Sequence, residues 1–228
     1  MKIGILADAH GNIDALRACI ELLKRRKAQK IIYLGDAIGY FPYSEQVCSL
    51  LLSLETIFIE GNHEAIYSGT LDIEKSKRQI IAHPQGSSIL REWATHCASI
   101  GPIYETNFDE RKFLLVHGSP DQPYCGRIEQ AEGICCKGYD IILAAHTHRP
   151  LLGKNKNGTL LLNPGSCGYP RDNGSLLSLA MLETQTLEAE IIRIPFRFTP
   201  QILSAVHPSV SNALRRRADV LGTIMVES

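Results

Sequence analysis

Ile141-Ile142-Leu143-Ala144-Ala145-His146-Thr147-His148 is a run of five apolar residues that ends in two imidazoles. A run this short, opening on β-branched residues, reads as a buried strand. His146 and His148 are two apart. If the chain leaves the strand still extended, both rings lie on one face, with Thr147 on the other. Neutral imidazole is the commonest metal ligand, so two on one face can each hold an ion. Alone, the pair reads equally well as two surface histidines in a loop.

The same arrangement recurs upstream. Lys2 to Ala7 is an apolar run followed by Asp8 and His10, and Lys30 to Leu34 is followed by Gly35-Asp36. Thr56 to Glu60 runs into Gly61-Asn62-His63-Glu64, and Arg111 to Val116 into His117-Gly118. Amphipathic stretches separate these runs. Ile13 to about Lys27 carries Leu16, Ile20 and Leu23 on one stripe behind an Asn12 cap, and Ser44 to about Leu54 carries Val47, Leu50, Leu51 and Leu54 behind a Ser44 cap. Strands alternating with helices predict an α/β fold, in which ligands bind outside the carboxyl ends of the strands. Asp8, His10, Asp36, Asn62, His63, His117, His146 and His148 then become neighbours. Taken one at a time, Asp8, Asp36 and Asn62 read as helix caps; five such endings together read as a site. Of these, the donors without His63, two carboxylates, one amide oxygen and four imidazoles, are too many for one tetrahedral ion. They suit two borderline divalent ions with one shared carboxylate, Mn²⁺ first, with Fe²⁺, Zn²⁺, Ni²⁺ or Co²⁺ as substitutes.

The rest of the chain bounds the reading. Between Ala65 and Ser99 the pattern is helical but broken, at Gly69 and at His83-Pro84, and resumes from Ser88 to His96; residues 128–137 read as a short helix. After His148, Leu151-Leu152, Thr159 to Leu162, Leu176 to Leu182 and Leu187 to Ile194 read as an antiparallel meander. A helical extension follows over 195–228, entered near Thr199-Pro200, broken by Pro208 and resumed over Ser209 to Leu221. Its Ile202, Leu203, Val206, Leu214 and Val220 offer apolar surface to the sheet edge or to a partner subunit in a homo-oligomer. The expected organisation is one domain over 1–194 with the extension packed on it. Lys plus Arg equals Asp plus Glu, 24 each, which argues against a broad nucleic-acid or membrane surface. Seven irregularly spaced cysteines, with no C-x-x-C pair, no signal peptide and no membrane span, predict reduced thiols in the cytoplasm. His83, His96 and His207 fall outside the strand-end pattern and are assigned to solvent or packing.

The ordered set Asp8-x-His10, Gly35-Asp36, Gly61-Asn62-His63-Glu64, His117-Gly118 and His146-Thr147-His148 resembles the calcineurin-like metallophosphoesterase superfamily. Asn163-Pro164-Gly165-Ser166 extends the likeness, and Gly35 to Pro42 looks like its small bacterial and archaeal phosphodiesterase branch. The resemblance implies a four-layer α/β/β/α sandwich of two mixed sheets flanked by helices. It implies Asp8, His10, Asp36 and His148 on one metal, and Asp36, Asn62, His117 and His146 on the other. It leaves His63 unligated near the leaving group. It further implies phosphodiester hydrolysis by a hydroxide shared between the ions, on a small phosphoester or nucleotide. Within the fold, a phosphomonoesterase, including a protein phosphatase, or a dinucleoside polyphosphate hydrolase is the alternative. Outside catalysis, the alternative is a protein-binding scaffold such as the retromer subunit of this superfamily. Arg149 and Arg171 are candidates to pair with a second phosphate, and Tyr40 and Phe41 to stack on a base; each reads equally as a solvated or packing residue. Two departures stand out. Ala145 replaces a usual Gly and strains the turn if that position needs φ > 0. Glu64 replaces a usual Asp and bears on how His63 is oriented.

Overall fold

The computed structural model describes residues 1–72, 86–130 and 137–218, and the backbone of a two-residue strand at 225–226. The expected two mixed sheets are there. The first has six strands in the order β11-β10-β9-β1-β2-β3 and the second five, β4-β5-β6-β8-β7. In the first, β1 (Lys2–Leu6), β2 (Lys30–Tyr33) and β3 (Thr56–Phe58) run parallel, with Ile5 opposite Ile32. The hairpin β9 (Leu176–Glu183) and β10 (Ala189–Pro195) lies antiparallel on the other side of β1. The short β11 (Met225–Val226) pairs parallel with β10. In the second sheet, β5 (Arg111–Val116), β6 (Ile141–Leu143) and β8 (Leu160–Pro164) are parallel neighbours, edged by antiparallel β4 (Ile103–Phe108) and β7 (Pro150–Lys154).

Strand alternation decides what each face buries. Ile3, Ile5, Ile32, Phe113, Leu115, Ile141, Leu143, Leu160 and Leu162 point between the sheets and form one apolar core. Each fully buried aliphatic of this kind contributes about 1.5–3 kcal/mol. On the outer face of the first sheet, Leu6, Tyr33, Leu177 and Leu179 pack against α1 (Ile13–Arg25), α2 (Ser44–Leu52) and α4 (Ser88–Ile100), with α3 (Asn62–Ser68) crossing the end of β3. The outer face of the second sheet gathers Leu114, Val116, Ile142 and Leu161 under the 3₁₀ turn Ile128–Gln130.

Several expectations shift. Asn12 caps α1, accepting from Ala15 N, but Ser44 is the first residue of α2 and accepts from Gly39 N instead. The meander is two hairpins in different sheets, because β8 pairs parallel with β6 while β9 pairs with β1. Strand β4, which the sequence reading leaves unassigned, is an edge strand with most of its residues exposed. Pro208 opens α6 (Pro208–Ala213) rather than breaking a helix, since its missing N–H is unneeded in the first turn. Its neighbour α5 (Pro200–Ser204) begins behind a Thr199 cap. Ile202, Val206, Val210 and Leu214 of this tail are buried in the outer core, and Leu203 packs against it half-buried. His83-Pro84, Cys135, Cys136, Val220 and most of the expected 128–137 helix lie outside the described residues. Cys19, Cys48, Cys97, Cys125 and Cys167 are free thiols. Among the described residues no helix is long and apolar enough to cross a membrane.

Candidate metal centre

The parallel strands of both sheets end at one rim, and the expected residues meet there. Asp8 and His10 leave β1, Asp36 leaves β2, Asn62 opens α3 after β3, His117 leaves β5, and His146 and His148 leave β6. Two groups of ligand atoms result, Asp8 with His10, Asp36 and His148, and Asp36 with His117 and His146. Asp36 belongs to both. His10 Nε2 lies 3.0 Å from His148 Nε2 and 3.7 Å from Asp36 Oδ2, and His148 Nε2 lies 3.7 Å from Asp8 Oδ1. His117 Nε2 lies 3.4 Å from Asp36 Oδ2. The amide oxygen of Asn62 sits between His117 Nε2, at 3.1 Å, and His146 Nδ1, at 3.0 Å.

The hydrogen bonds behind the rings fix their tautomers. Nδ1 of His10, His117 and His148 faces the carbonyls of Ile38, Leu34 and Tyr169 at 3.1, 2.7 and 2.6 Å. A carbonyl only accepts, so Nδ1 carries a proton in all three, and Nε2 is the atom that faces the site, with its lone pair free wherever the ring is neutral. The Nε2 atoms of His10 and His148 therefore aim two lone pairs at each other across 3.0 Å. Both oxygens of Asp8 are buried without a hydrogen-bond partner. Lone pairs converging on lone pairs, beside a bare buried carboxylate, are a poor arrangement for the protein alone and a good one for a cation. Ligands about 2.0–2.2 Å from an ion stand roughly 3 Å apart, close to the spacing here. The residues fit a metal.

Electrostatics agree. Burial pushes Asp8 well above the usual carboxylate range, and neighbouring Asp36 adds to it. Burial opposes ionisation of Asp36 too and is the largest single influence, but His117, His63 and His10 together outweigh it and hold Asp36 well below that range. Burial drives the His10 and His148 imidazoles down, and takes His146 to about 3. His117 goes the other way: burial opposes its charge, but Asp36 raises it to about 9. In the metal-free protein a proton on His117 thus stands where a cation would.

The backbone is strained toward this purpose. Asp8, His10, Asp36, His146 and His148 all have φ between 48° and 64°, in the left-handed region. Asp and His tolerate it better than most residues, yet each such position costs on the order of 1 kcal/mol. Ala145 is not among the positive-φ residues, so its methyl imposes none of the strain expected of it.

Glu64 has a larger role than the sequence suggests. Its buried carboxylate accepts from the N–H groups of Asp36 (2.8 Å), Ala37 (2.8 Å), Ile38 (3.2 Å) and Gly61 (3.0 Å), and from Trp93 Nε1 (3.1 Å). It ties the loop after β2 to the start of α3. The longer side chain thus anchors the segment that carries Asp36. His63 lies buried beside it, donating its backbone N–H to Asp36 Oδ1 at 2.8 Å. Its ring is 4.4 Å from that of His10 and 4.8 Å from that of Tyr40, centroid to centroid. Burial lowers His63 to about 4. Gly39, at φ 111°, makes room for it: a Cβ there would stand 2.2 Å from His63 Nδ1.

The candidate substrate residues separate. The Tyr40 ring packs on His10 and His63, and Arg171 donates to its hydroxyl at 3.2 Å. Phe41 is fully buried, stacked on Phe198, so it belongs to the core and cannot receive a base. The Arg149 side chain is exposed, and the site residues make no hydrogen bond with it. Tyr169, which the sequence reading misses, has its ring 5.2 Å from His148 and 5.0 Å from Tyr40. His96 and His207 are exposed, away from the cluster.

The family model for the calcineurin-like phosphoesterase superfamily domain matches residues 1–187. The chain belongs to that superfamily. This phosphoesterase is 27% identical over 173 residues to the phosphodiesterase MJ0936 of Methanocaldococcus jannaschii, covering 74% of this chain and 86% of that protein. It is 26% identical over 213 residues to an uncharacterised protein, MJ0912, of the same archaeon (85% and 87%). A metallophosphoesterase from Sphaerobacter thermophilus superposes with a TM-score of 0.74 at 23% identity, over 94% of this chain and 98% of the other, and shares its fold. Membership makes the chain a metal-dependent phosphoester hydrolase, with ligand groups for divalent ions at the rim just described.

Proposed function

We propose that this phosphoesterase is a phosphodiesterase acting on small phosphoesters with two divalent ions, Mn²⁺ foremost. The observation that carries the reading is Asp36, whose carboxylate is shared by two converging sets of nitrogen and oxygen donors. Asp8, His10, Asp36 and His148 would hold one ion, and Asp36, Asn62, His117 and His146 the other. Such a pair supplies a Lewis acid and an activated water as nucleophile. The chain's own residues do the rest. Glu64 sets Asp36 by fixing the loop behind it. His63, beside Asp36 but outside both groups, is placed to donate to the departing oxygen. Its ring is neutral near pH 7, and the negative charge of a bound phosphoester raises its proton affinity at the moment a donor is needed. The sequence likeness to a phosphodiesterase supports diester chemistry.

The test combines metal analysis with turnover. Mn²⁺-loaded protein should carry two ions and hydrolyse bis(p-nitrophenyl) phosphate faster than p-nitrophenyl phosphate. Asp36→Asn should lose both ions and at least about a thousand-fold in kcat, the scale of several kcal/mol of metal stabilisation. His63→Gln should keep both ions and lose about 100-fold or more in kcat on diesters with poor leaving groups. A faster monoester reaction overturns the diester reading; wild-type rates for His63→Gln overturn its role as donor.

A further inference from the structure

Beyond the metal ligands, the loop and the tail beside the site each carry an arginine, Arg171 and Arg216. Arg171, half-buried, lies with its guanidinium carbon 5.2 Å from the Tyr169 ring and 6.0 Å from the Tyr40 ring, and donates to Tyr40 Oη. Those two rings are the ones packed on His10, His63 and His148. Arg216, from the C-terminal tail, places Nη1 3.4 Å from the Arg171 carbonyl oxygen. Among the described residues no carboxylate pairs with Arg171 or Arg216.

The fold builds this juxtaposition deliberately. Asp172 and Arg193, both fully enclosed, form a two-pronged ion pair of 2.5 and 3.0 Å that pins the loop carrying Tyr169 and Arg171 to β10. The tail is laced to that loop by backbone bonds from Gly174 N to Arg216 O (3.0 Å) and from Ala218 N to Asp172 O (3.2 Å), and by an antiparallel bridge between Asn173 and Arg217. The approach is so close that a Cβ on Gly174 would stand 1.9 Å from the Leu214 carbonyl oxygen, so only glycine allows the tail to seat. Two cationic side chains on segments laced together this way, with the acidic residue of the loop committed to Arg193, are suited to an anion arriving from outside.

We infer that Arg171 and Arg216 form a second anion subsite, and that the substrates of this enzyme are phosphoesters bearing a further phosphoryl group beside the scissile one. This rests on the phosphoesterase reading of the rim and names its substrate class. The tail is then part of the substrate site.

Binding separates this idea from the reading beneath it. Inorganic pyrophosphate and inorganic phosphate are titrated calorimetrically into Mn²⁺-loaded protein. Wild type should prefer pyrophosphate by at least ten-fold. Arg216→Gln and Arg171→Gln should each cut that preference by five-fold or more. Arg215→Gln, on a side chain that lines a different cavity with Phe196 and Phe198, should keep it. No preference in wild type, no binding of either anion, or an unchanged preference in Arg216→Gln overturns the subsite. Turnover of bis(p-nitrophenyl) phosphate, followed in parallel, reports on the hydrolase reading: its absence with the pyrophosphate preference intact would leave an anion site on a non-hydrolytic protein.

Discussion

The two ligand groups that share Asp36 are built to different depths. Asp8, His10, Asp36 and His148 are at most 1% exposed, and the two rings are pinned from behind by carbonyls of Ile38 and Tyr169. In the other group His117 is equally buried, but Asn62 and His146 are half-open. Water can therefore reach one face of the second group and none of the first. The buried group cannot be left without a cation, or a proton, at low cost, because its bare Asp8 oxygens have no solvent to turn to. On the two-ion reading proposed above, the open group would be the one to exchange its ion and take a substrate oxygen. One half would then hold the rim together and the other would meet the substrate.

Parallel substitutions in the two halves break or sharpen this contrast most. His148→Asn should lose the buried ion, lower kcat by about a thousand-fold and cost about 2 kcal/mol, roughly 4–8 °C in Tm. His146→Asn should lose activity to a similar degree with Tm within about 2 °C of wild type. Metal content and thermal denaturation of the two, side by side, decide it; equal Tm losses would erase the distinction.

Glu64→Gln comes next, because it acts on the residue common to both halves. A Gln NH₂ must face backbone N–H groups that now meet an oxygen, at about 1–3 kcal/mol. Both ions should be bound about 10–100-fold more weakly. Weakening of one ion alone would mean that the loop behind Asp36 serves only one group.

The pH response is smaller. His117, raised to about 9, must give up its proton to bind a metal, so affinity at the open group should climb with pH up to about 9, near ten-fold per unit. In the buried group the rings are already neutral, and the raised Asp8 carboxyl is the proton that a metal would displace. In the metal-free protein, His10, His63, His146 and His148 stay neutral while the unfolded chain protonates below about pH 6.5. The unfolded state then binds more protons, so stability falls as pH drops from about 6.5 toward 4. The His117 contribution has the opposite sign, complete below about 6.5 and lost as pH rises through about 9. Mn²⁺ titrations between about pH 6 and 9, and melts of chelated protein, check both signs.

Ala145→Gly should matter least. Residue 145 has no left-handed backbone to relieve, so the glycine brings no gain, costs up to about 1 kcal/mol through unfolded-chain entropy, and leaves kcat within two-fold.

The candidate ligands were legible because each follows an apolar run closely, and parallel strands deliver such positions to one rim whatever lies between. Glu64 was not, since its partners are mostly backbone N–H groups, which every sequence offers everywhere. Tyr169 and Arg171 lie on a loop whose place depends on Asp172 meeting Arg193; in sequence, that arginine in β10 reads as a solvent-facing charge. The partition of four late strands between two sheets was equally hidden, because alternation reports that a face is buried but not which sheet buries it. Strand β4 escaped because its exposed residues carry almost no apolar signal.

The left-handed turns at five ligands carry a warning for anyone mapping this rim by substitution. Valine, isoleucine or threonine at those positions would fail from backbone crowding before any coordination chemistry was lost, and alanine would mix the two losses. Asparagine, which shares the tolerance of aspartate and histidine for that geometry, keeps the chain's path and changes only the donor. A scan written in asparagine reads chemistry; one written in alanine reads the hinge as well.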